Sequence, residues 1–220
     1  MTASLDKFFF TYVEIKYFLN SFRALSDAKL GVWHLQDSLE TNSYLWNWKT
    51  NWIGTCAIIR TSISLIQNDV KSCINSQIRS ALADEWNFIS SKKNIEKNEI
   101  YWNFILKERD NIMHHYKWNA YEAWIDDDGN IEQSQNGLLH IKPKEKSSIL
   151  VMRNGHYAGR NSIELLSESM HWVEDRLLGA IRRAGFDPDE KRNVRTFEKM
   201  PKVETRGLLS FDSKRDSPTD

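Results

Sequence analysis

The residues best suited to catalysis lie together in one short stretch of the sequence. Arg109, Asp110, His114 and Tyr116 bring a guanidinium, a carboxylate, an imidazole and a phenol into one predicted helix. Asp110 and His114 are four residues apart, the spacing at which side chains on a helix meet. We therefore expect the Asp110 carboxylate to hydrogen-bond the His114 imidazole, which would fix the tautomer of the ring and favour its protonated form.

These groups suit the cleavage of a phosphodiester without a metal. An imidazole can accept the proton of a ribose 2′-hydroxyl or donate one to the leaving oxygen, because its ordinary pKa lies near neutral pH. A guanidinium donates hydrogen bonds to a phosphate and stabilises the charge that develops in the transition state. The sequence thus predicts RNA cleavage, with His114 as general base or acid and Arg109 as the group that stabilises the transition state.

Arg109 and His114 project in different directions on a straight helix, about 140° apart at 100° per residue. To act on one phosphate they need a kink, an arginine stem that wraps around the helix, or a site built from two protomers. The packing stripe of this helix is predicted to read Trp102, Ile105, Arg109, Ile112 and Tyr116. An arginine on an otherwise apolar stripe fits the third arrangement, because a homodimer can bury such a stripe against its own copy.

The spacing of Arg109, His114 and Tyr116 resembles the R-x4-H-x-Y form of the signature of the HEPN superfamily. Asp110 matches the polar residue that the family usually carries just after the arginine. The resemblance implies an all-α bundle that dimerises and places two copies of the motif in a cleft at the interface. Many members are metal-independent endoribonucleases of toxin–antitoxin, abortive-infection or other anti-phage systems, and some are inactive binding modules.

Carried over residue by residue, the resemblance makes Arg109 and His114 catalytic and Asp110 supporting. Tyr116 becomes either a substrate contact or a modified residue, and Asn111 is grouped with it as a residue of the substrate-binding or modification site. In the subset with the trailing tyrosine, a nucleotidyltransferase antitoxin can neutralise the toxin by attaching AMP to that tyrosine. The resemblance therefore implies RNA as substrate, a homodimer through the motif helix, no cofactor, and a nucleotidyltransferase or other antitoxin as partner.

Hydrophobic periodicity predicts an all-α bundle of about five helices that carries this motif. The first helix is predicted over 5–22 with Ser4 as its N-cap, and 27–42 as a loop with a short helix. Further helices are predicted over 43–73, 76–91 and 95–125. The last begins near an Asn161 or Ser162 cap and ends at Gly185.

A small β-hairpin is predicted within 131–157, before the last helix, from short apolar runs at 138–141 and 149–152. Residues 186–220 carry little aliphatic content and balanced charges, so they are predicted to form an extended or disordered arm. The chain is therefore divided into a helical domain over 1–185 and a C-terminal arm over 186–220.

Composition narrows the class of protein. The 220 residues carry 30 basic and 30 acidic side chains, so no overall positive charge indicates binding to nucleic acid or membrane. The N-terminus does not resemble a secretory signal, and the most apolar stretch, 53–66, is interrupted by Arg60. Cys56 and Cys73 are predicted to be reduced core residues. We expect a cytoplasmic protein without a membrane span.

Structural interpretations of the same residues stay open at this point. Arg109 could pair with Glu108, Asp110 or a neighbouring helix, His114 could be a surface residue, and Tyr116 could belong to the core. A non-catalytic HEPN-like module that binds a nucleotide or a partner protein is the alternative function, and a helical interaction protein with an accidental motif is a third. The presence of both Arg109 and His114 favours an enzyme, because a scaffold needs neither.

Overall fold

The computed structural model of the chain describes residues 11–40, 47–126, 128, 130–133 and 147–201. These residues form a helical bundle with small sheets, as the periodicity predicts. The α-helices are α1 (Asn20–Glu40), α2 (Asn47–Ser72), α3 (Ser76–Ser90), α4 (Leu106–His115) and α5 (Ser162–Arg183). A π-helical segment, Tyr101–Ile105, runs directly into α4. The fold class is therefore an all-α bundle, and the motif residues belong to α4.

Two small antiparallel sheets accompany the helices in the described residues. One pairs β1 (Tyr12–Glu14) with β5 (Lys191–Asn193), and the other has the order β3-β2-β4. The strands of this second sheet are β2 (Ala120–Ile125), β3 (Ile131–Gln133) and β4 (Ser147–Met152). The predicted strand at 149–152 is confirmed within β4, whereas the predicted strand at 138–141 lies outside the described residues. The sheet leads directly from the end of α4, so it fixes where that end lies.

The first helix begins later than predicted. Residues 12–14 form a strand and Ile15–Phe18 a 3-10 turn, so the predicted helix over 5–22 is wrong from residue 11 to 19, and its Ser4 cap lies outside the described residues. Helix α1 starts at Asn20, where the buried carboxylate of Asp69 accepts hydrogen bonds from the backbone of Asn20 and Ser21. An acceptor from a distant helix therefore sets this start.

The predicted loop with a short helix over 27–42 is also wrong as far as residue 40, because α1 continues to Glu40, and residues 41–42 lie outside the described residues. Its buried face includes the small residue Ala28, and Gly31 interrupts the apolar pattern. A Cβ on Gly31 would lie 2.4 Å from the Thr55 hydroxyl oxygen, so glycine permits the close approach of α1 to α2. The interruption marks a helix contact instead of a loop.

The predicted helix over 95–125 is shorter in the structure. Its first residues include a 3-10 turn, Glu96–Asn98, and residues 120–125 form β2, which pairs with β3 and β4. Tyr116 adopts a left-handed backbone conformation that ends α4. The prediction was wrong beyond His115, because the helix turns back there and the following residues find strand partners.

The C-terminal segment does not begin as a free arm. Residues 186–201 fold back onto the bundle, where β5 pairs with β1. The guanidinium carbon of Arg192 lies 5.2 Å from the Phe186 ring centroid and 4.9 Å from that of Phe197. The prediction of an extended or disordered arm is therefore wrong for residues 186–201, which pack on the helical domain. Residues 202–220 lie outside the described residues.

The core is one continuous apolar cluster to which all five helices contribute. Helix α1 packs mainly against α2, and α5 packs against α1 and α3. Cys56 is buried and Cys73 partly buried, and neither forms a disulfide, as predicted for reduced core cysteines. None of the helices in the described ranges is long and apolar enough to cross a membrane.

Candidate functional site in helix α4

The buried face of the motif helix differs from the predicted stripe. The residues buried along the π segment and α4 are Tyr101, Phe104, Ile105, Glu108 and Ile112. Ile105 and Ile112 were predicted correctly, but the Arg109 side chain is 37% exposed and Tyr116 is 73% exposed. Glu108 is three residues and Arg109 four residues after Ile105, so helical spacing allows either on the buried face, and the structure buries Glu108. The predicted buried arginine is therefore wrong, and Arg109 lies at the surface.

The buried charge of α4 is the carboxylate of Glu108, which the sequence pattern did not reveal. It accepts hydrogen bonds from Trp52 Nε1 at 3.0 Å and from the backbone and side-chain nitrogens of Asn119, both at 2.8 Å. One side chain thus joins α2, α4 and the segment that leads into β2. The spacing Phe104–Glu108–Ile112 could have placed it on the buried face. Its contacts hold α4 and set the position of the motif residues on the opposite side.

Burial raises the pKa of the Glu108 carboxyl, and the hydrogen bonds from Asn119 and Trp52 offset this only in part. A raised folded-state pKa means that its contribution to stability is complete below the unfolded pKa and is lost as pH rises through the folded one. We predict that the unfolding free energy of wild type, relative to Glu108→Gln, falls as pH rises from about 4 to about 8, because the unfolded carboxyl ionises before the buried one does.

Urea unfolding at a series of pH values measures this difference. Glu96→Gln, the same substitution at an exposed position, is the matched control. A wild-type stability that rises relative to Glu108→Gln across this range would contradict the prediction.

Asp110 binds Arg109 in the structure and does not orient His114. Arg109 Nη1 lies 2.6 Å from Asp110 Oδ1, and these side chains are 37% and 42% exposed. Within the described part of the chain, no hydrogen bond joins Asp110 to His114, so the predicted orienting role is wrong for this arrangement. An exposed ion pair between sequence neighbours contributes about 0–1 kcal/mol. The Arg109–Asp110 ion pair, which the sequence left open, is thus present, but it lies within α4 and does not link that helix to another element.

His114 lies in the last turn of α4, with its side chain exposed beside that of His115. The two imidazole centroids are 6.4 Å apart. Leu106–His115 is α-helical throughout, so the side chains of Arg109 and His114 project about 140° apart. Neither a kink nor a π turn lies between Arg109 and His114. One α4 therefore presents its guanidinium and its imidazole in different directions.

Tyr116 closes the helix in a conformation that usually requires glycine. Its φ is 50°, and its backbone N–H donates to the carbonyls of Asn111 and Ile112. Asn111 thus serves the helix end through its backbone oxygen, and its side chain is partly exposed. A left-handed conformation costs a non-glycine residue about 1–2 kcal/mol. The interpretation of Tyr116 as a core residue is wrong, because its ring is at the surface.

Two substitutions of Tyr116 separate the energetic cost of its backbone conformation from the contribution of its ring to stability. We predict that Tyr116→Gly has an unfolding free energy about 1 kcal/mol higher than Tyr116→Ala, because both lack the ring and only alanine keeps the steric penalty. Chemical denaturation of the two variants checks this. Equal stabilities, or a more stable alanine variant, would show that residue 116 does not hold this conformation in solution.

The predicted site residues are thus all in one place, at the surface of the last turns of α4. Arg109, Asp110, His114 and Tyr116 are exposed or partly exposed, and Asn111 is partly exposed between them. Comparison of the chain with protein-family models, curated proteins and solved structures finds no match. A functional assignment therefore depends on the geometry of α4 and of the residues around it.

Proposed function

We propose that this protein is a metal-independent endoribonuclease that acts as a homodimer, with Arg109 and His114 as its catalytic residues. His114 removes the proton of a ribose 2′-hydroxyl, and that oxygen attacks the adjacent phosphorus. The bond from phosphorus to the 5′-oxygen breaks, and the leaving oxygen takes up a proton from an imidazolium or from water. The products are a 2′,3′-cyclic phosphate end and a 5′-hydroxyl end.

The observation that carries this proposal is that the side chains of Arg109, His114 and Tyr116 do not contribute to the core. The buried face of α4 is complete without Arg109, His114 or Tyr116. Among the described residues, the ion-pair partner of Arg109 is its exposed neighbour Asp110, and Tyr116 occupies a position where glycine would be more stable. An exposed tyrosine held in a strained backbone conformation, beside an exposed guanidinium and imidazole, is consistent with contact with a ligand.

A homodimer can bring together the guanidinium and the imidazole that a single α4 holds apart. Arg109 and His114 project from different sides of α4, and α4 packs on α2 through its other face. A twofold axis beside the exposed face brings the guanidinium of one protomer towards the imidazole of its partner. The same arrangement, with two motifs in a cleft at the dimer interface, is implied by the resemblance of the motif to the HEPN signature.

The biological role that we propose is a toxin or abortive-infection nuclease of a prokaryotic defence system, as the HEPN-like motif implies. The Tyr116 side chain is 73% exposed, so an antitoxin nucleotidyltransferase can reach it. Attachment of AMP there would add a bulky anion two residues from His114. Such a modification would block the site by occupying it.

A cleavage assay with total RNA in EDTA tests the proposal. Wild type is expected to cleave, to leave cyclic phosphate or 3′-phosphate ends, and to lose activity in His114→Ala and Arg109→Ala. His171→Ala and Arg79→Ala, at exposed positions on α5 and α3, are the matched controls and should cleave as wild type does. Cleavage that persists in both motif variants would overturn the proposal.

A non-catalytic HEPN-like module that binds a nucleotide or a partner protein is the second candidate. The contact of Arg109 with Asp110 favours it, because a paired guanidinium is partly neutralised before any phosphate arrives. RNA that binds but is not cleaved by wild type would select this candidate.

A further inference from the structure

An aromatic and basic surface follows directly on the end of α4. Tyr116 and Trp118 lie edge to face, with ring centroids 5.6 Å apart and planes at 84°. Lys49 of α2 places its ammonium nitrogen 5.0 Å from the centroid of the Trp118 ring. We call Lys49, Tyr116 and Trp118 the aromatic platform.

The platform is held in place by different contacts at each residue. Trp118 is partly buried and packs against the core, and Lys49 also lies near the Trp48 ring, at 5.9 Å. Tyr116 is fixed by the backbone hydrogen bonds that end α4. Its ring is therefore exposed on a rigid support, which lowers the entropic cost of ordering it against a ligand.

The platform adjoins the proposed catalytic group. Tyr116 is two residues after His114, and the exposed His114 and His115 rings lie on the same helix end. An aromatic face accepts any base that is free to stack on it, and bases inside a duplex are not free. An ammonium group beside the rings suits the phosphate of the same strand.

We propose that the aromatic platform binds single-stranded RNA, with an unpaired base stacked on Tyr116 against Trp118 and a neighbouring phosphate bound by Lys49. This inference rests on the proposed nuclease function and specifies its substrate as an unpaired segment next to the cleaved bond. Duplex RNA is then a poor ligand, because its bases cannot reach the tyrosine ring.

Binding of a 2′-O-methyl RNA oligonucleotide without self-pairing tests the platform independently of cleavage, since its blocked 2′-oxygen cannot attack. Tyr116→Leu is expected to weaken binding about tenfold, the effect of losing one stacked base, and Tyr116→Phe to bind as wild type does. Lys49→Gln is expected to weaken binding and to reduce the slope of log K against log salt by about one contact. Tyr17→Leu, at an exposed tyrosine elsewhere, is the matched control.

The outcomes separate the platform from the nuclease. Equal affinity of wild type and Tyr116→Leu, or equal affinity for the single strand and its duplex, overturns the platform even if cleavage depends on Arg109 and His114. Loss of binding in Tyr116→Leu alongside a wild type that cleaves no RNA supports the platform and overturns the nuclease. Circular dichroism of each variant confirms that the helices are intact.

Discussion

Asp69→Ala is expected to lower the free energy of unfolding by about 3 kcal/mol. The Asp69 carboxylate is 1% exposed and accepts four hydrogen bonds at the start of α1. They come from the backbone and side-chain nitrogens of Asn20, at 2.8 and 3.0 Å, and from the backbone nitrogen and hydroxyl of Ser21, at 2.9 and 2.6 Å. Alanine would leave the Ser21 donors buried without an acceptor, and it would remove a negative charge from the positive end of the helix.

Denaturant unfolding of wild type and three variants isolates this effect. Asp84→Ala, at an exposed position in α3, makes the same chemical change and should alter stability by less than about 0.5 kcal/mol. Asp69→Asn keeps one acceptor oxygen and should fall between wild type and Asp69→Ala. A loss below about 1 kcal/mol in Asp69→Ala would show that this carboxylate does not cap α1 in solution.

His114→Ala and Arg109→Ala are each expected to reduce RNA cleavage by about 100-fold or more. Removing a general base or acid costs about 10²–10⁴ in rate. Removing a group that stabilises transition-state charge costs about 10²–10³. Both side chains are at the surface and neither supports the core, so unfolding free energies should stay within about 0.5 kcal/mol of wild type.

Arg109→Lys sharpens this prediction. Lysine keeps the positive charge but cannot present two parallel donors to a phosphate, so activity should remain well below that of wild type. Initial rates on a labelled RNA, measured in EDTA, give the comparison. Asp110→Ala releases the Arg109 guanidinium from its partner and should leave cleavage equal to or faster than that of wild type. A loss of cleavage rate as large as that of His114→Ala would instead show that Asp110 orients His114, as the sequence predicts.

Helices α2, α3 and α5 could be predicted from local pattern alone. The last begins at the Asn161 cap, whose side chain accepts hydrogen bonds from the backbone of Ile163 and Glu164 as expected. Its apolar residues recur at helical spacing to its end. Such helices carry their start, face and end in neighbouring residues, so a sequence pattern is sufficient.

The start of α1 and the end of α4 depend on distant partners and could not be predicted in this way. Asp69 determines that α1 begins at Asn20, although 49 residues separate the two. Residues 120–125 become a strand because they pair with 131–133 and 147–152. Tertiary hydrogen bonds override local helical periodicity at both places.

The motif residues could be identified by spacing, but their orientation could not. Between Ile105 and Ile112 the helical spacing allows either Glu108 or Arg109 on the buried face, and the structure buries Glu108. Glu108 was overlooked because a charged residue between two polar neighbours does not indicate burial. Trp52, on α2, supplies the partner that makes this burial tolerable.

A heterodimer of Arg109→Ala and His114→Ala tests the central claim most directly. The two variants are co-expressed with different tags and purified on both, so that every dimer contains one chain of each kind. If each site takes its arginine from one protomer and its histidine from the partner, one of the two sites is intact. We predict about half the cleavage rate of the wild-type dimer, although each variant alone is inactive. A heterodimer as inactive as its parents would contradict a site shared between protomers.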